Sequence, residues 1–297
     1  MATQTKVDDL LKTLYTMAFL VEARDAYTGG HLWRVSQFAK RLATAAGLSR
    51  KEAAAIGLGG FLHDLGKVGV PDAILGKTDK LTDAEYGIIK THPDVGIRVL
   101  RGHPLIDFVH EAILGHHERP DGGGYPHGIS DDSIGVSAKI IGLVDAFDAM
   151  TSSRPYRKGM SLEAAIEQIS MNLGTQFDKK FSEIFIQLAR AGELNDIIGH
   201  SDSGIPLHNC PPCGLVVTVN RNLQAGDAIF CRVCGHGHQF VTDSKTSTLV
   251  LSSEILTGSP TDLIADIDHS LLGELIDETA PYLFVGKARW WNWRGLK

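Results

Sequence analysis

The 297-residue sequence contains no apolar run approaching the roughly 20 residues that a helix needs to cross a bilayer. It also lacks an excess of positive charge. The formal net charge is -6, which gives no general attraction to nucleic acid or to an anionic membrane. The N-terminal stretch carries acids early and no cleavage signal, so nothing in it reads as secretory. Cysteine is scarce: the four present, Cys210, Cys213, Cys231 and Cys234, all fall in two CxxC pairs. That usage suits metal binding in a reducing compartment better than disulfides, and a cytoplasmic location is the expectation. No repeat or low-complexity tract stands out, and no credible strand pair precedes about residue 205.

What is present is helical periodicity. "DDLLKTLYTMAFLVEARD" and "HLWRVSQFAKRLATAAG" have helical apolar spacing, and the second stops at Gly47. Ser49 with Glu52, and Thr82 with Glu85, are capping-box pairs that open two further helices. "LIDFVHEAILGHHE" and "GVSAKIIGLVDAFDAMT" are helix candidates, and Ser161 and Asp178 are caps for two more. The expected fold is an all-α helical bundle over residues 1–195. A polar, turn-rich linker follows at 196–208. A small β-rich domain then occupies 209–297, with strand-like runs "LVVTVN", "AIFCRV", "HQFVT" and "STLVLSS". Within it, "TDLIADIDHSLLGELIDE" reads as one acidic amphipathic helix, and the tail "KARWWNWRGLK" is basic and tryptophan-rich. Such a tail suits an interface, at a membrane surface or with a partner, or packs on its own domain.

The helical region holds His31, His63, Asp64, His92, His116, His117 and Asp145. Imidazole and carboxylate together suit Fe, Mn or Zn. Adjacent ligands such as His63 and Asp64 project about 100° apart on a helix, so one binds an ion while its neighbour bridges or reaches a second. Any one such histidine is more often an ordinary, partly buried side chain, and His103, His110 and His127 fit that description. The two CxxC knuckles, separated by a β-like stretch, resemble a zinc ribbon in which four thiolates close the shell of one structural zinc. A redox dithiol is the lesser reading. His236 and His238 follow closely and compete as ligands, although four cysteines suffice. A ribbon does not name its partner; a protein partner is an expectation, and the sparse basic residues give no strong nucleic-acid signal.

"HDLGKVGVPDAILGKTDKLTDAEYGIIKTHPDVG", "ILGHHERPDGGGYPHG" and "DAFDAMTSSRPYR" occur in the order found in the HD-GYP branch of the HD phosphohydrolases, which the chain resembles over roughly residues 8 to 192. The resemblance implies an HD-type helical bundle holding two or three metal ions, usually iron or manganese. It implies hydrolysis of cyclic di-GMP to pGpG, in some members onward to GMP, by a hydroxide activated at the metal site. His63 and Asp64 match the HD pair. His31, His92, His116, His117 and Asp145 match the remaining ligand positions. Three-metal members carry a glutamate four residues before the first ligand histidine. Tyr27 stands there in this chain, with Glu22 and Asp25 out of register, so two metals are expected. Asp64 is then the carboxylate bridge. Lys67, one turn after His63, neutralises the phosphate or protonates the leaving 3′ oxygen, unless it is a plain surface lysine. Arg154 and Arg157 are candidate phosphate or guanine contacts, or else helix caps. Tyr125, in the Gly-rich loop, is a candidate base-stacking residue or a purely structural one. Another cyclic dinucleotide such as cyclic GMP-AMP, or a non-catalytic dinucleotide sensor signalling through the ribbon, remain as alternatives, and a homodimer is a further expectation.

Overall fold

The structure is a computed structural model that describes residues 2–24, 29–77, 79–152, 159–219, 221, 223–244, 249–263 and 267–283. Arg154, Arg157, Tyr27 and the tryptophan-rich tail lie outside these.

Ten helices come first: α1 (Ala2–Arg24), α2 (His31–Ala45), α3 (Arg50–Leu62), α4 (Asp72–Leu75), α5 (Asp83–Ile89), α6 (His92–Val99), α7 (Ile106–Gly115), α8 (Val136–Thr151), α9 (Leu162–Met171) and α10 (Lys179–Arg190). Their starts follow local chemistry. Ser49 and Thr82 close full capping boxes with Glu52 and Glu85, while Ser161 and Asp178 accept hydrogen bonds from Ala164 and Phe181 amides. Apolar faces of α1, α2, α3, α7, α8 and α10 meet in one core containing Tyr15, Phe38, Phe61, Phe147 and Phe185. A fully buried leucine or phenylalanine in such a core contributes about 1.5–3 kcal/mol.

A small β region follows: β1 (His200–Asp202), β2 (Ile205–Pro206), β3 (His208–Asn209), β4 (Val216–Val217), β5 (Ala228–Phe230), β6 (His236–Thr242), β7 (Leu249–Leu251) and β8 (Leu256–Thr257). All pairings are antiparallel: β1 with β2, β3 with β4, and β6 as the spine that pairs β5, β7 and β8. The segment expected as a linker therefore carries a hairpin, and strand pairing starts at His200 rather than after 205.

The last α-helix among the described residues, α11 (His269–Thr279), is shorter than the expected run, because Asp268 caps it and a 3₁₀ turn at Pro260–Leu263 precedes it. Its Leu271, Leu272 and Leu275 lie in the core of the helical bundle. Tyr15 and Thr279 hydroxyls bond at 2.9 Å, and Lys40 pairs with Glu278 at 2.6 Å. A boundary at 209 thus places α11 with the ribbon by sequence, while its apolar face belongs to the bundle. Among the described residues no helix is long and apolar enough to cross a membrane.

Candidate metal centres

The HD pair does not sit inside a helix. α3 ends at Leu62, His63 caps it with helical φ −53°, and Asp64 turns to φ −91°, ψ 3°. A 3₁₀ helix at Leu65–Gly69 follows, so Lys67 lies three residues after Asp64 in a tighter spiral and its Nζ meets Asp64 Oδ2 at 2.8 Å. Gly66 permits this turn, since a Cβ there would run into the His92 carbonyl at the start of α6. The close approach brings His92 to Asp64. His116 and His117 leave the C-terminus of α7, His31 is the first residue of α2, and Asp145 projects from α8.

These seven residues converge. His31 Nε2 lies 3.4 Å from Asp145 Oδ1 and 3.8 Å from Asp64 Oδ2. His63 Nε2 lies 3.3 Å from Asp64 Oδ2 and 3.9 Å from Asp145 Oδ1. On the other side, Asp64 Oδ1 is 3.5 Å from His92 Nε2, which is 3.1 Å from His116 Nε2. Two ligand groups result, His31 with His63 and Asp64, and His92 with His116 and His117, each with its atoms within 4.8 Å of one another. Asp64 faces both groups, one oxygen to each.

Hydrogen bonds on the far side of each ring set its tautomer. His63, His92 and His116 donate from Nδ1 to carbonyls of Gly60, Ile89 and Ile113, at 2.7, 2.8 and 2.9 Å. His31 Nδ1 donates to Asp148 Oδ2 at 2.8 Å. The Nε2 lone pairs therefore all point inward, the arrangement metal-binding imidazoles need. Two such lone pairs oppose each other between His92 and His116, and His63 Nε2 is buried without a hydrogen bond. A cation satisfies both conflicts, so the residues fit a metal.

The electrostatics agree. Burial holds His92, His116 and His117 below the ordinary imidazole range, His117 down to about 3, and so keeps them neutral. Burial also disfavours charge on His63, but the carboxylates of Asp64 and Asp145 outweigh it and raise His63 to about 9. The site thus attracts positive charge between His63 and those carboxylates. Burial works against ionising Asp64 as well, yet Lys67 and His63 hold it well below the usual carboxylate range.

Asp148, Arg34 and Glu118, all buried, escaped the sequence reading. Asp148 takes His31 on Oδ2 and the Arg34 guanidinium on Oδ1 at 2.5 Å, with both side chains almost wholly buried. Glu118 accepts the backbone N–H groups of His127 and Ile129, at 2.7 and 3.0 Å, and so fastens the Gly-rich loop. Tyr125 on that loop stacks on His117, with ring centres 4.5 Å apart. His103, His110 and His127 stay outside the cluster; His103 Nδ1 accepts the Leu105 amide, and His127 faces Asp94 at the surface.

The four cysteines form a second group with sulfurs within 4.8 Å, and Cys210–Cys234 and Cys213–Cys231 are each 3.6 Å apart, as free thiols. The two knuckles repeat one backbone pattern. Cys210 N–H donates to Leu215 and Gly214 N–H returns to Cys210; Cys231, His236 and Gly235 do the same. Burial raises Cys210 and Cys213. Burial also acts on Cys234, but the His236 amide and neighbouring thiols outweigh it and lower that thiol to about 6. Four crowded thiols fit a tetrahedral thiophilic cation. His238, buried beside them, has Nε2 3.9 Å from Cys210 Sγ.

A family profile described as an HD domain matches residues 16–181. The chain is 36% identical to a cyclic di-GMP phosphodiesterase of Thermotoga maritima over 68% of its own length and 55% of the relative's. It is 36% identical to the cyclic di-GMP phosphodiesterase response regulator RpfG of Xanthomonas campestris, over 63% of this chain and 50% of that one. A 3'3'-cGAMP-specific phosphodiesterase 2 of Vibrio cholerae is also 36% identical, over 59% and 34% of the two chains. The chain spans about half the length, or less, of these curated relatives. With a profile match over more than half its residues, and with the HD pair and the Gly-Tyr-Pro triplet beside the same histidine cluster, the chain belongs to the HD-domain family, in its HD-GYP form.

Proposed function

We propose that the chain is a metal-dependent phosphodiesterase that opens cyclic di-GMP to pGpG, and that its cysteine module holds one structural zinc. The observation that carries the reading is the convergence of two ligand groups on Asp64 with Lys67 at their edge. In this reading His31, His63, Asp64 and Asp145 hold one iron or manganese ion, and His92, His116, His117 and Asp64 the other. When bound, such a pair supplies Lewis acidity toward the phosphodiester and acidifies water to a nucleophile at neutral pH. The chain's own residues do the rest. Lys67, already held 2.8 Å from Asp64, neutralises a phosphate oxygen and gives a proton to the leaving 3′ oxygen. Buried His92, His116 and His117, held neutral, fix the ligand atoms and exclude bulk water. Tyr125, on the loop tied down by Glu118, offers a ring face to a base, and Arg154 and Arg157 are assigned to phosphate or guanine.

One relative's name favours a second substrate, 3'3'-cyclic GMP-AMP. The test is turnover of both dinucleotides by oxygen-protected protein loaded with Fe(II) or Mn(II), with products resolved by chromatography. We expect pGpG from cyclic di-GMP in wild type and none from Asp64→Ala or His63→Ala. Faster turnover of cyclic GMP-AMP moves the assignment to that substrate. Binding of either dinucleotide with no product, both metals being bound, makes the protein a sensor.

A further inference from the structure

We propose that the four-cysteine module is a clamp on the turn that presents His31, so that a filled thiolate site tightens cation binding at the histidine–aspartate centre. The inference rests on reading both clusters as metal sites, and it adds a coupling between them.

The clamp has four contacts. Gly29 lies against Thr218, just past β4: a Cβ at position 29 would stand 2.5 Å from Thr218 Cγ2. Gly30 lies against β1, where a Cβ would stand 2.6 Å from Ser201 Cα, and its φ of +69° is the left-handed turn that starts α2 at His31. Arg34 Nη1 donates to the Gly29 carbonyl at 3.1 Å and to the His200 carbonyl of β1 at 2.9 Å. The rest of the same guanidinium holds Asp148, which holds His31. Finally, Arg232, between the cysteines of the second knuckle, donates to the Ala23 carbonyl at 3.1 Å in the last turn of α1. The β region therefore grips the end of α1 and the start of α2, on both sides of the turn leading into His31.

The grip depends on the thiolates. Cys210 N–H donates to Leu215 at 2.7 Å, and Asn209 pairs with Val216, two residues before Thr218. Among the described residues, the buried apolar side chains of the β region are Cys210, Leu215, Val217, Cys231 and Phe240. So small a core does not hold a hairpin by hydrophobic burial; in such modules metal binding supplies the folding free energy. A cation on the sulfurs thus sets the β3–β4 hairpin, the hairpin sets residues 29 and 30, and those residues set His31. Coupling of this kind is reciprocal between the two sites.

Position 29 isolates the contact, because its φ is not in the left-handed region and, among the described residues, the atoms nearest to an alanine Cβ there all belong to Thr218 and Val216 of the β region. The experiment uses the full chain carrying one equivalent of zinc and follows Mn(II) binding by the electron paramagnetic resonance of free Mn(II). Gly29→Ala should retain zinc and lose at least about tenfold in Mn(II) affinity, the size usual when support of a ligand is removed. Adding Thr218→Ser removes the clashing Cγ2 and should restore the affinity; Thr218→Ser alone should match wild type. Cys213→Ser with Cys231→Ser should lose zinc, weaken Mn(II) binding comparably and speed amide exchange at residues 30–34. Wild-type affinity in Gly29→Ala, or no recovery in the double variant, overturns the clamp, and the glycine pair decides the matter should the cysteine variant fail to fold. Wild type that binds Mn(II) but hydrolyses no cyclic dinucleotide overturns the proposed activity alone, since none of these readouts uses turnover.

Discussion

Asp148 needs no contact with substrate to matter. It is the counter-charge of buried Arg34 and the acceptor that turns His31 Nε2 inward. Asp148→Asn keeps the shape and removes the charge, leaving a guanidinium buried without its partner, a loss of about 3–5 kcal/mol in stability. Support for a ligating imidazole is lost too, so Mn(II) affinity should fall by roughly 10–100-fold. Chemical denaturation and an Mn(II) isotherm read the two effects separately; an unchanged isotherm would deny the positioning role. Lys67 is a different case. Its ammonium sits on Asp64 but is not placed as a ligand, so Lys67→Met should keep the metal content and lower kcat by roughly 100-fold or more. Loss of metal instead would make Lys67 part of the site's framework. The histidines and Asp145 were picked out by the resemblance of their motifs to the HD-GYP order, since any one histidine in a helical region is more often an ordinary side chain. Asp148 was not, although it follows Asp145 by three residues on one face of α8. A carboxylate on a helix is ordinarily solvated, and its partner Arg34 is 114 residues away in the chain.

At the scale of elements, the caps were legible and the irregular turns were not. Ser49–Glu52 and Thr82–Glu85 announce α3 and α5 by local chemistry alone, and both boxes form as read. The stretch after His63 looked like one more helical turn. It becomes a 3₁₀ helix because Gly66 lies directly against α6, a long-range contact that no local pattern encodes. The hairpin at residues 200–206 was hidden for a similar reason: a short, polar pair of strands has no periodicity to detect. α5 also carries a pH prediction. Glu85 is held down to about 2, first by the Lys77 ammonium and then by the Thr82 amide. A lowered carboxylate pKa means that its stabilisation is present above the ordinary value near 4.5 and is lost as pH falls toward about 2. α5 buries no side chain fully, so the loss should be local. Amide-exchange protection of residues 86–90 should be higher in wild type than in Glu85→Gln at pH about 5, and the difference should shrink as pH falls and vanish below about 2. A difference that persists in acid would mean that the Lys77 pair contributes nothing.

For the whole molecule, the question is whether bundle and β region unfold together. The sequence suggested two bodies with a linker between them, because composition changes sharply near residue 196. Composition does not report that the chain returns. α11 comes back across the bundle and adds Leu271, Leu272 and Leu275 to its core, and the 3₁₀ turn that follows it adds Ala280 and Leu283. Arg221 then ties the β region to α11, pairing with Asp202 of β1 at 2.8 Å and with Glu274 of α11 at 2.6 Å. A core shared in this way makes the bundle's stability depend on residues beyond the β region. Leu275 is 1% exposed, so Leu275→Ala leaves a cavity and should destabilise the bundle by about 2–5 kcal/mol. Calorimetry of the zinc-loaded full chain should show one transition, shifted as a whole to lower temperature in the variant. Cutting the chain after residue 195 removes the entire α11 face and should leave a bundle that exposes Leu11, Leu14 and Tyr15 and binds a hydrophobic dye. Two separate transitions, with only the smaller moved by Leu275→Ala, would instead place α11 with the β region and make the bundle self-sufficient.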